Sequence, residues 1–210
     1  LIDAGCGTAW GEAYGHARAA MIAAGIQPDD VSRVILTHIH GDHALGLIDG
    51  DKPYFPNAEI WVPEADLGFF SSADARKSLP PARQGGFDLA ARLLDICGAM
   101  LRPIPMGMIA EDIEAIAMPG HTPGHAGYLI GSGDNRLLLW GDVLHVSGLQ
   151  ADDPEIAFVY DIDSELAYAT RLAALAEVAD HGWLVSGGHL GGFFHIERQG
   201  DGFRFVPQPG

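Results

Sequence analysis

A chain of 210 residues with 48% hydrophobic content is long enough for one sizeable core and short for two, so we expect a single domain over residues 1–210. Its 12 basic and 28 acidic residues give a net charge of −16 with neutral histidines. A surface of that sign repels nucleic acids and acidic membranes, which excludes both as partners and favours a small-molecule substrate.

The chain begins at Leu1 in a strand-like pair that runs into the glycine-rich turn 3–7. We interpret it as a fragment whose N-terminal strands are missing, which leaves the compartment open between cytoplasm and periplasm. No apolar stretch approaches the roughly 18 residues of a membrane helix, so we expect a soluble protein. Cys6 and Cys97 form no Cys-x-x-Cys motif, and neither a disulfide framework nor a sulfur-ligated metal is indicated.

Strands and helices alternate along the first half. The alanine-rich stretch Glu12 to Ala24 predicts a helix, and the β-branched run Val31 to Thr37 predicts a strand. Glu59 to Val62 predicts another strand and Pro81 to Ile96 a helix. The polar, weakly patterned stretch Ser71 to Pro80 predicts a loop.

Short apolar runs between turn residues dominate the second half and predict strands at 114–118, 128–130, 137–140 and 183–185. Asp163 is a suitable N-cap for a helix that ends near His181, with Gly182 after it. Two final strands, 193–198 and 203–206, flank the turn 199–202 and predict a hairpin.

The segment Thr37 to His43 places four metal-capable side chains within six residues, directly after a predicted strand. Residues two apart in an extended chain point to the same side, so His38 and His40 can share one ion while Asp42 and His43 face a second. Imidazoles with a carboxylate suit Zn, Mn or Fe rather than Ca or Mg.

Three further candidate ligands, His121, Asp142 and His189, each follow a predicted strand beside glycine or proline. Ligand sites collect on loops along one edge of the sheets in layered α/β proteins. We therefore expect these three side chains to join the histidine cluster.

Together these residues resemble the metallo-β-lactamase superfamily, because the His-x-His-x-Asp-His motif is complete and the later ligands follow in order over nearly the whole chain. The resemblance implies an αββα sandwich, two mixed sheets with helices outside. It implies two divalent ions, zinc preferred and Mn, Fe or Co accepted. The implied ligands are His38, His40 and His121 for the first ion, Asp42, His43 and His189 for the second, and Asp142 for both.

Within the superfamily, the segments 55–58, 121–125, 152–154 and 202–207 look like the methyl parathion hydrolase group, which is similar to the acyl-homoserine lactonases. The resemblance implies a hydrolase of a small ester, lactone or phosphotriester, and a homodimer. Two ions about 3.5–4 Å apart acidify a shared water, present hydroxide as the nucleophile and polarise the oxygen under attack.

Asp42 and His145 are the candidate catalytic residues. Asp42 could accept a proton from the attacking hydroxide. His145 lies three residues after Asp142, where related lactonases often have a tyrosine that hydrogen-bonds the substrate carbonyl. An imidazole could donate that bond or protonate the leaving alkoxide, with loop packing as the alternative. This position favours a carbonyl ester or lactone over a phosphotriester.

The other histidines have structural interpretations: His125 orders the loop around His121, and His16, His181 and His195 are surface or packing residues. Aromatic residues that could form an apolar wall for the substrate, with core packing as the alternative, are Phe69, Phe70, Phe158 and Phe193.

Other functions share this signature. A glyoxalase II-like thioesterase would need a C-terminal helical region, yet only a short hairpin follows His189. Lactam-cleaving members usually lack an aspartate equivalent to Asp142, and a nuclease would carry basic grooves, which the charge of −16 opposes. A non-catalytic binding or scaffold protein on this fold should have lost ligands, and this chain has lost none.

Overall fold

The computed structural model describes residues 1–11, 13–133 and 135–209. They form two structural units, Leu1–Ile104 and Pro105–Gly210. The assignment of residues 1–210 to a single domain stays a prediction. Among the described residues, no helix combines the length and apolar character needed to cross a bilayer.

The described residues of the first unit form five strands and five α-helices. The strands are β1 (Arg33–Ile35), β2 (Ile48–Asp49), β3 (Lys52–Pro53), β4 (Glu59–Pro63) and β5 (Leu101–Ile104). The helices are α1 (Ala17–Ala23), α2 (Gly41–Ala44), α3 (Glu64–Phe70), α4 (Ala73–Ser78) and α5 (Gly85–Cys97).

Strands β1, β4 and β5 form a parallel sheet with β4 in the middle, in which Val34 pairs with Ile60 and Ile60 with Leu101. Ile2 adds a parallel bridge to Ile35, which brings the first residues alongside β1. Helix α5 contributes Leu93, 1% exposed, to the apolar core. The buried positions of these three strands carry apolar side chains, whereas the middle of β5 is exposed.

Two predictions in this unit need correction. The stretch 71–80 is not a loop, because Ser72 accepts a hydrogen bond from the backbone N–H of Ala75 at 3.2 Å and caps helix α4. The predicted helix from Glu12 begins only at Ala17, and Glu12 itself lies outside the described residues. Gly15 adopts a positive φ of 75°, and a Cβ there would overlap the carbonyl oxygen of Gly7, so the chain cannot be helical at this point.

In the second unit, the residues that the structure describes form seven strands and two α-helices. The strands are β6 (Gly107–Ala110), β7 (Ile113–Ala117), β8 (Ala126–Ile130), β9 (Leu137–Leu139), β10 (Leu184–Ser186), β11 (Phe194–Gln199) and β12 (Gly202–Pro207). The helices are α6 (Ser147–Asp152) and α7 (Ser164–His181).

The seven strands form one mixed sheet in the order β12-β11-β10-β9-β8-β7-β6. Only β9 and β10 pair in parallel, and α7 lies in the crossover that a parallel pair requires. The core includes Trp140, Leu175, Val178 and Val185, each 0% exposed. Strand ends at residues 117, 139 and 186 therefore precede His121, Asp142 and His189, as the sequence predicts.

The ends of helix α7 and the final hairpin lie where the sequence predicts them. Asp163 caps α7 by accepting from the Leu166 N–H at 3.0 Å, and Gly182 ends the helix with a φ of 64°. The predicted final hairpin is confirmed, with β11 and β12 paired in antiparallel register.

Candidate metal centre

The loop between β1 and α2 carries the four predicted ligands of the first unit. Its backbone is held from α3, where Asp66, 0% exposed, accepts the Ile39 N–H at 2.7 Å through Oδ2. Ile39 lies between His38 and His40, so this bond fixes the turn from which both imidazoles project. Sequence reasoning missed Asp66, whose signal was a carboxylate on the buried side of a short helix.

Asp3 is the second anchor of this loop. Its φ of 54° is left-handed, a conformation that aspartate adopts more readily than most residues. Oδ1 accepts the Thr37 N–H at 2.8 Å, and Oδ2 accepts the Thr37 hydroxyl at 2.9 Å. Oδ2 also lies 2.8 Å from Nδ1 of His43. One carboxylate thus touches both ends of the ligand motif.

These contacts determine where the histidine protons lie. An ionised carboxylate only accepts, so the Thr37 hydroxyl gives its single proton to Asp3 and must accept from Nδ1 of His38, 2.9 Å away. Nδ1 of His43 likewise donates to Asp3. Both rings therefore carry their lone pair on Nε2, the state in which an imidazole binds a metal ion.

The donor atoms also converge. Nε2 of His38 lies 3.1 Å from Nδ1 of His40. Two nitrogens bound to one tetrahedral zinc at their usual lengths stand about 3.3 Å apart. Asp42 Oδ2 lies 3.6 Å from Nε2 of His43, and the Asp42 side chain is 32% exposed. The first unit thus fits a shared ion at His38 and His40, and a second set at Asp42 and His43.

In the second unit, three imidazoles converge on one carboxylate oxygen. Asp142, 2% exposed, follows β9, and its Oδ2 lies 3.4 Å from Nε2 of His121. The same oxygen lies 3.2 Å from Nε2 of His145 and 3.1 Å from Nε2 of His189. Donor atoms of His121, Asp142 and His145 all fall within 4.8 Å of one another.

A buried carboxylate orients His121. Asp161 Oδ1 lies 2.9 Å from Nδ1 of His121, while Oδ2 accepts the Phe158 N–H at 3.0 Å. Burial would raise the pKa of Asp161, but the hydrogen bonds from His121 and Phe158 and the charge of Arg171 outweigh it and leave that pKa low. The ionised carboxylate keeps the His121 proton on Nδ1. Nε2 and the Asp142 oxygen then face each other as two acceptors, which a cation between them satisfies.

His145 lies beside these ligands as a neutral imidazole. Burial lowers its pKa, although its hydrogen bond to Asp142 acts in the opposite direction. Its ring stacks on Phe158 with centroids 3.7 Å apart, and its backbone N–H donates to Gln150 Oε1 at 2.8 Å. Because the Asp142 carboxylate accepts, Nε2 holds the ring proton.

His125 has the ordering role that the sequence predicts. Nδ1 donates to the Met118 carbonyl at 2.9 Å, and Nε2 accepts the backbone N–H of Asp142 at 2.9 Å. Both ring nitrogens are thus engaged by backbone groups. His195 has ring nitrogens 3.2 Å from the Gly182 carbonyl and 3.0 Å from the Gln208 side chain, which is a packing role at the hairpin.

The four aromatic residues predicted as a possible substrate wall differ in their burial and contacts. Phe70, 2% exposed, packs with Phe69 and Phe87 at centroid distances of 5.1 Å, and its ring lies 5.9 Å from that of His40. Phe193 is 49% exposed. Of the four, Phe158 has the most direct contact with a predicted site residue, through its stack on His145.

The family model described as the metallo-beta-lactamase superfamily matches residues 1–189. The chain therefore belongs to this superfamily, which confirms the resemblance and the fold class that the sequence predicts.

Individual relatives support the same assignment. A probable metallo-hydrolase of Mycobacterium tuberculosis is 26% identical over 153 residues, 70% of this chain and 48% of that protein. Metallo-beta-lactamase domain-containing protein 1 of Xenopus laevis is 29% identical over 128 residues, 59% of this chain and 42% of that protein. The chain spans about half the length of the curated relatives it matches.

Two solved structures match the whole chain and 75% of their own. The hydrolase AbOPH of the β-lactamase superfamily gives a TM-score of 0.91 at 28% identity. AidC, a dizinc quorum-quenching lactonase in complex with a product, N-hexanoyl-L-homoserine, gives 0.91 at 26% identity. These relatives support the coarser of our predictions, a hydrolase that binds divalent metal ions.

Proposed function

We propose that this chain is a dinuclear metal-dependent hydrolase and that the ligand sets of its two units bind the same pair of ions. One observation carries the proposal: in three predicted ligands Nδ1 lies 2.8–2.9 Å from an oxygen, an arrangement that favours the tautomer with its lone pair on Nε2. Zinc suits these ligands. The proposed ligands are His38, His40 and His121 for one ion, Asp42, His43 and His189 for the other, and Asp142 for both.

When bound, two divalent ions supply an acidified water and a Lewis acid for the oxygen under attack. The chain's own residues then handle protons. Asp42 is exposed enough to meet solvent and can accept a proton at its carboxylate. His145 holds a proton on Nε2, beside Asp142, and from there can donate to a substrate carbonyl or to the leaving oxygen.

The proposed substrate is a small ester or lactone with an apolar acyl part. The segment that follows His145 exposes large apolar side chains, including Leu149 at 58% and Val159 at 65%. Apolar surface of this kind favours contact with an acyl chain. The net charge of −16 opposes a strongly anionic substrate, and the product bound to the similar AidC is an acylated homoserine.

The test is hydrolysis by zinc-loaded protein of a panel: N-hexanoyl-homoserine lactone, an aryl ester and a neutral phosphotriester. We expect two zinc ions per chain by elemental analysis and the fastest turnover with the lactone, followed as ring-opened acid by mass spectrometry. His38→Ala should abolish turnover, whereas His16→Ala, on the exposed start of α1, is the matched control and should retain it. Protein that binds two ions yet hydrolyses none of the three compounds would contradict the proposal.

A further inference from the structure

Arg171 lies in the middle of α7 and is only 1% exposed. The other buried residues of the helix, at 167, 174, 175 and 178, are alanine, leucine or valine, so the guanidinium leaves an otherwise apolar face. A buried charge of this kind is costly unless its donors all find acceptors. The hydrogen-bond acceptors of Arg171 therefore indicate which part of the structure the buried charge stabilises.

The guanidinium donates four hydrogen bonds, all to the segment that begins at Asp142. Nε donates to the Val143 carbonyl at 2.9 Å, and Nη1 donates to the carbonyls of Pro154 at 2.6 Å and Ile156 at 3.1 Å. Nη2 donates to Asp161 Oδ2 at 3.4 Å. One planar group thus contacts the beginning, the middle and the end of the twenty-residue segment from Asp142 to Asp161.

Two of these acceptors lead directly to predicted ligands. Val143 follows Asp142 in the chain, so its carbonyl and the Asp142 side chain belong to adjacent residues. Asp161 accepts from Arg171 through one oxygen and orients Nδ1 of His121 through the other. The distance between His121 and Asp142 therefore depends on one rigid fork.

Gln150 belongs to the same segment and forms hydrogen bonds with its backbone. Its Oε1 accepts the backbone N–H of His145 at 2.8 Å, and its Nε2 donates to the Ile156 carbonyl at 2.9 Å. That carbonyl also accepts from Arg171. The two side chains share an acceptor, which links the position of His145 to the fork.

We propose that Arg171 is a positioning residue of the metal centre, which sets the placement of His121 relative to Asp142 by holding Asp161 and the Val143 carbonyl in one fork. The inference rests on the proposed function, because it assigns these two side chains to the same pair of ions. The hydrogen bonds of the Arg171 side chain go to residues that are not predicted ligands, so it acts through its acceptors.

A lysine at this position would keep the charge but lose the fork. Arginine presents five N–H donors in a fixed plane, whereas an ammonium group is a compact charge with three donors. The ammonium group of a lysine cannot donate to Val143, Pro154 and Asp161 together in the same geometry. Arg171→Lys thus separates the positioning role from the mere presence of a buried cation.

The experiment measures zinc affinity of the metal-free protein by competition with a chromophoric chelator, together with the visible spectrum of the cobalt-substituted form. Arg171→Lys should weaken zinc binding about tenfold, the lower end of the roughly 10–100-fold cost of losing a direct partner of a metal ligand, because Arg171 acts through Asp161. It should also change the cobalt bands, which report ligand geometry. Arg198→Lys is the matched control, because Arg198 forms an exposed two-pronged ion pair with Asp180 in the same unit.

Asp161→Asn tests the route. If Arg171 acts through Asp161, the double variant with Arg171→Lys should bind zinc little more weakly than the weaker single variant. Wild-type zinc affinity and an unchanged cobalt spectrum in folded Arg171→Lys would overturn the inference while leaving the proposed function intact. Failure of the wild-type protein to bind zinc at all would reject both.

Wild-type protein supplies a second measurement in case the Arg171 variants do not fold. With 15N-labelled arginine, the guanidinium protons of Arg171 should exchange slowly with solvent, and zinc binding should shift its Nε resonance, while Arg198 shows neither effect. Fast exchange at Arg171, or no shift on loading with zinc, would overturn the inference.

Discussion

Asp3→Asn replaces one oxygen by an NH₂ group at the point where two ligand histidines are oriented. The remaining amide oxygen is needed by the Thr37 N–H, 2.8 Å from Oδ1 in the wild type. The NH₂ group then faces the Thr37 hydroxyl and Nδ1 of His43, which lie 2.9 and 2.8 Å from Oδ2. An NH₂ group donates, so both neighbours must now accept.

Two proton shifts follow from this reversal. Nδ1 of His43 can accept only if its proton moves to Nε2. The Thr37 hydroxyl accepts from the new amide and gives its own proton to Nδ1 of His38, 2.9 Å away, so His38 also becomes protonated on Nε2. Each ion thereby loses a ligand lone pair from a single isosteric change.

We expect zinc affinity to fall about 10–100-fold, or about 1.4–2.8 kcal/mol, at each ion. The metal-free protein should lose about 1–3 kcal/mol of unfolding free energy, because charge-assisted bonds become neutral ones. Chelator competition measures the first quantity and urea unfolding the second. Long-range 15N correlation spectra of the histidine rings report the proton positions directly.

Asp49→Asn is the matched control, since Asp49 is a 61% exposed carboxylate of the same unit that pairs with Arg18. It should change neither zinc affinity nor the histidine spectra. The reasoning fails if Asp3→Asn leaves His38 and His43 protonated on Nδ1, or if both protons move to Nε2 and zinc still binds as in the wild type.

Three further changes have expected outcomes. His125→Phe leaves two buried backbone groups without their partner, so urea unfolding should show a loss of about 2–5 kcal/mol; a loss below 1 kcal/mol would contradict the ordering role. Cys97 is 1% exposed and burial raises its pKa to about 11, so Ellman's reagent should react with it only in denaturant; fast native reaction would refute this. Leu149→Ser and Val159→Ser should each raise KM for a long-acyl lactone about fivefold, because about 1 kcal/mol of apolar contact is lost. KM for a short-acyl lactone should not change. An equal rise in both KM values would contradict contact between these residues and the acyl chain.

The sequence was informative wherever structure depends on neighbours in the chain. The motif from His38 to His43 carries its own ligand spacing, and α7 begins and ends at the residues that cap it, Asp163 and Gly182. Strand ends before Asp142 and His189 could be located because β-branched and aliphatic runs stop at glycine. Each of these features needs only a few consecutive residues to be recognised.

The residues that orient the ligands could not be found in this way. Asp3 meets Thr37 across 34 positions, Asp66 meets Ile39 across 27, and Asp161 meets His121 across 40. Their function depends on where the chain returns in space, which no local pattern encodes. Asp66 and Arg171 each left a usable signal, a charged residue on the buried side of a helix.

Short helices were the other source of error. Helix α4 has six residues, too few for an apolar period to develop, so its polar sequence resembled a loop. Only its cap, Ser72, marked the start. Helix α2 has four residues, which is also too short for an apolar period to show, and it lies within the predicted ligand motif.

The close approach of backbone to backbone near Asp3 has an evolutionary consequence. Gly46 donates its N–H to the Gly5 carbonyl at 2.7 Å, and a Cβ on Gly46 would overlap the carbonyl of Ala4. The position of the neighbouring aspartate is thus set by main-chain contact, independent of how bulky the surrounding apolar residues are. We therefore expect substitutions that change the size of those apolar residues to be tolerated, while a single added methyl at this crossing would displace Asp3 and the predicted ligands it contacts.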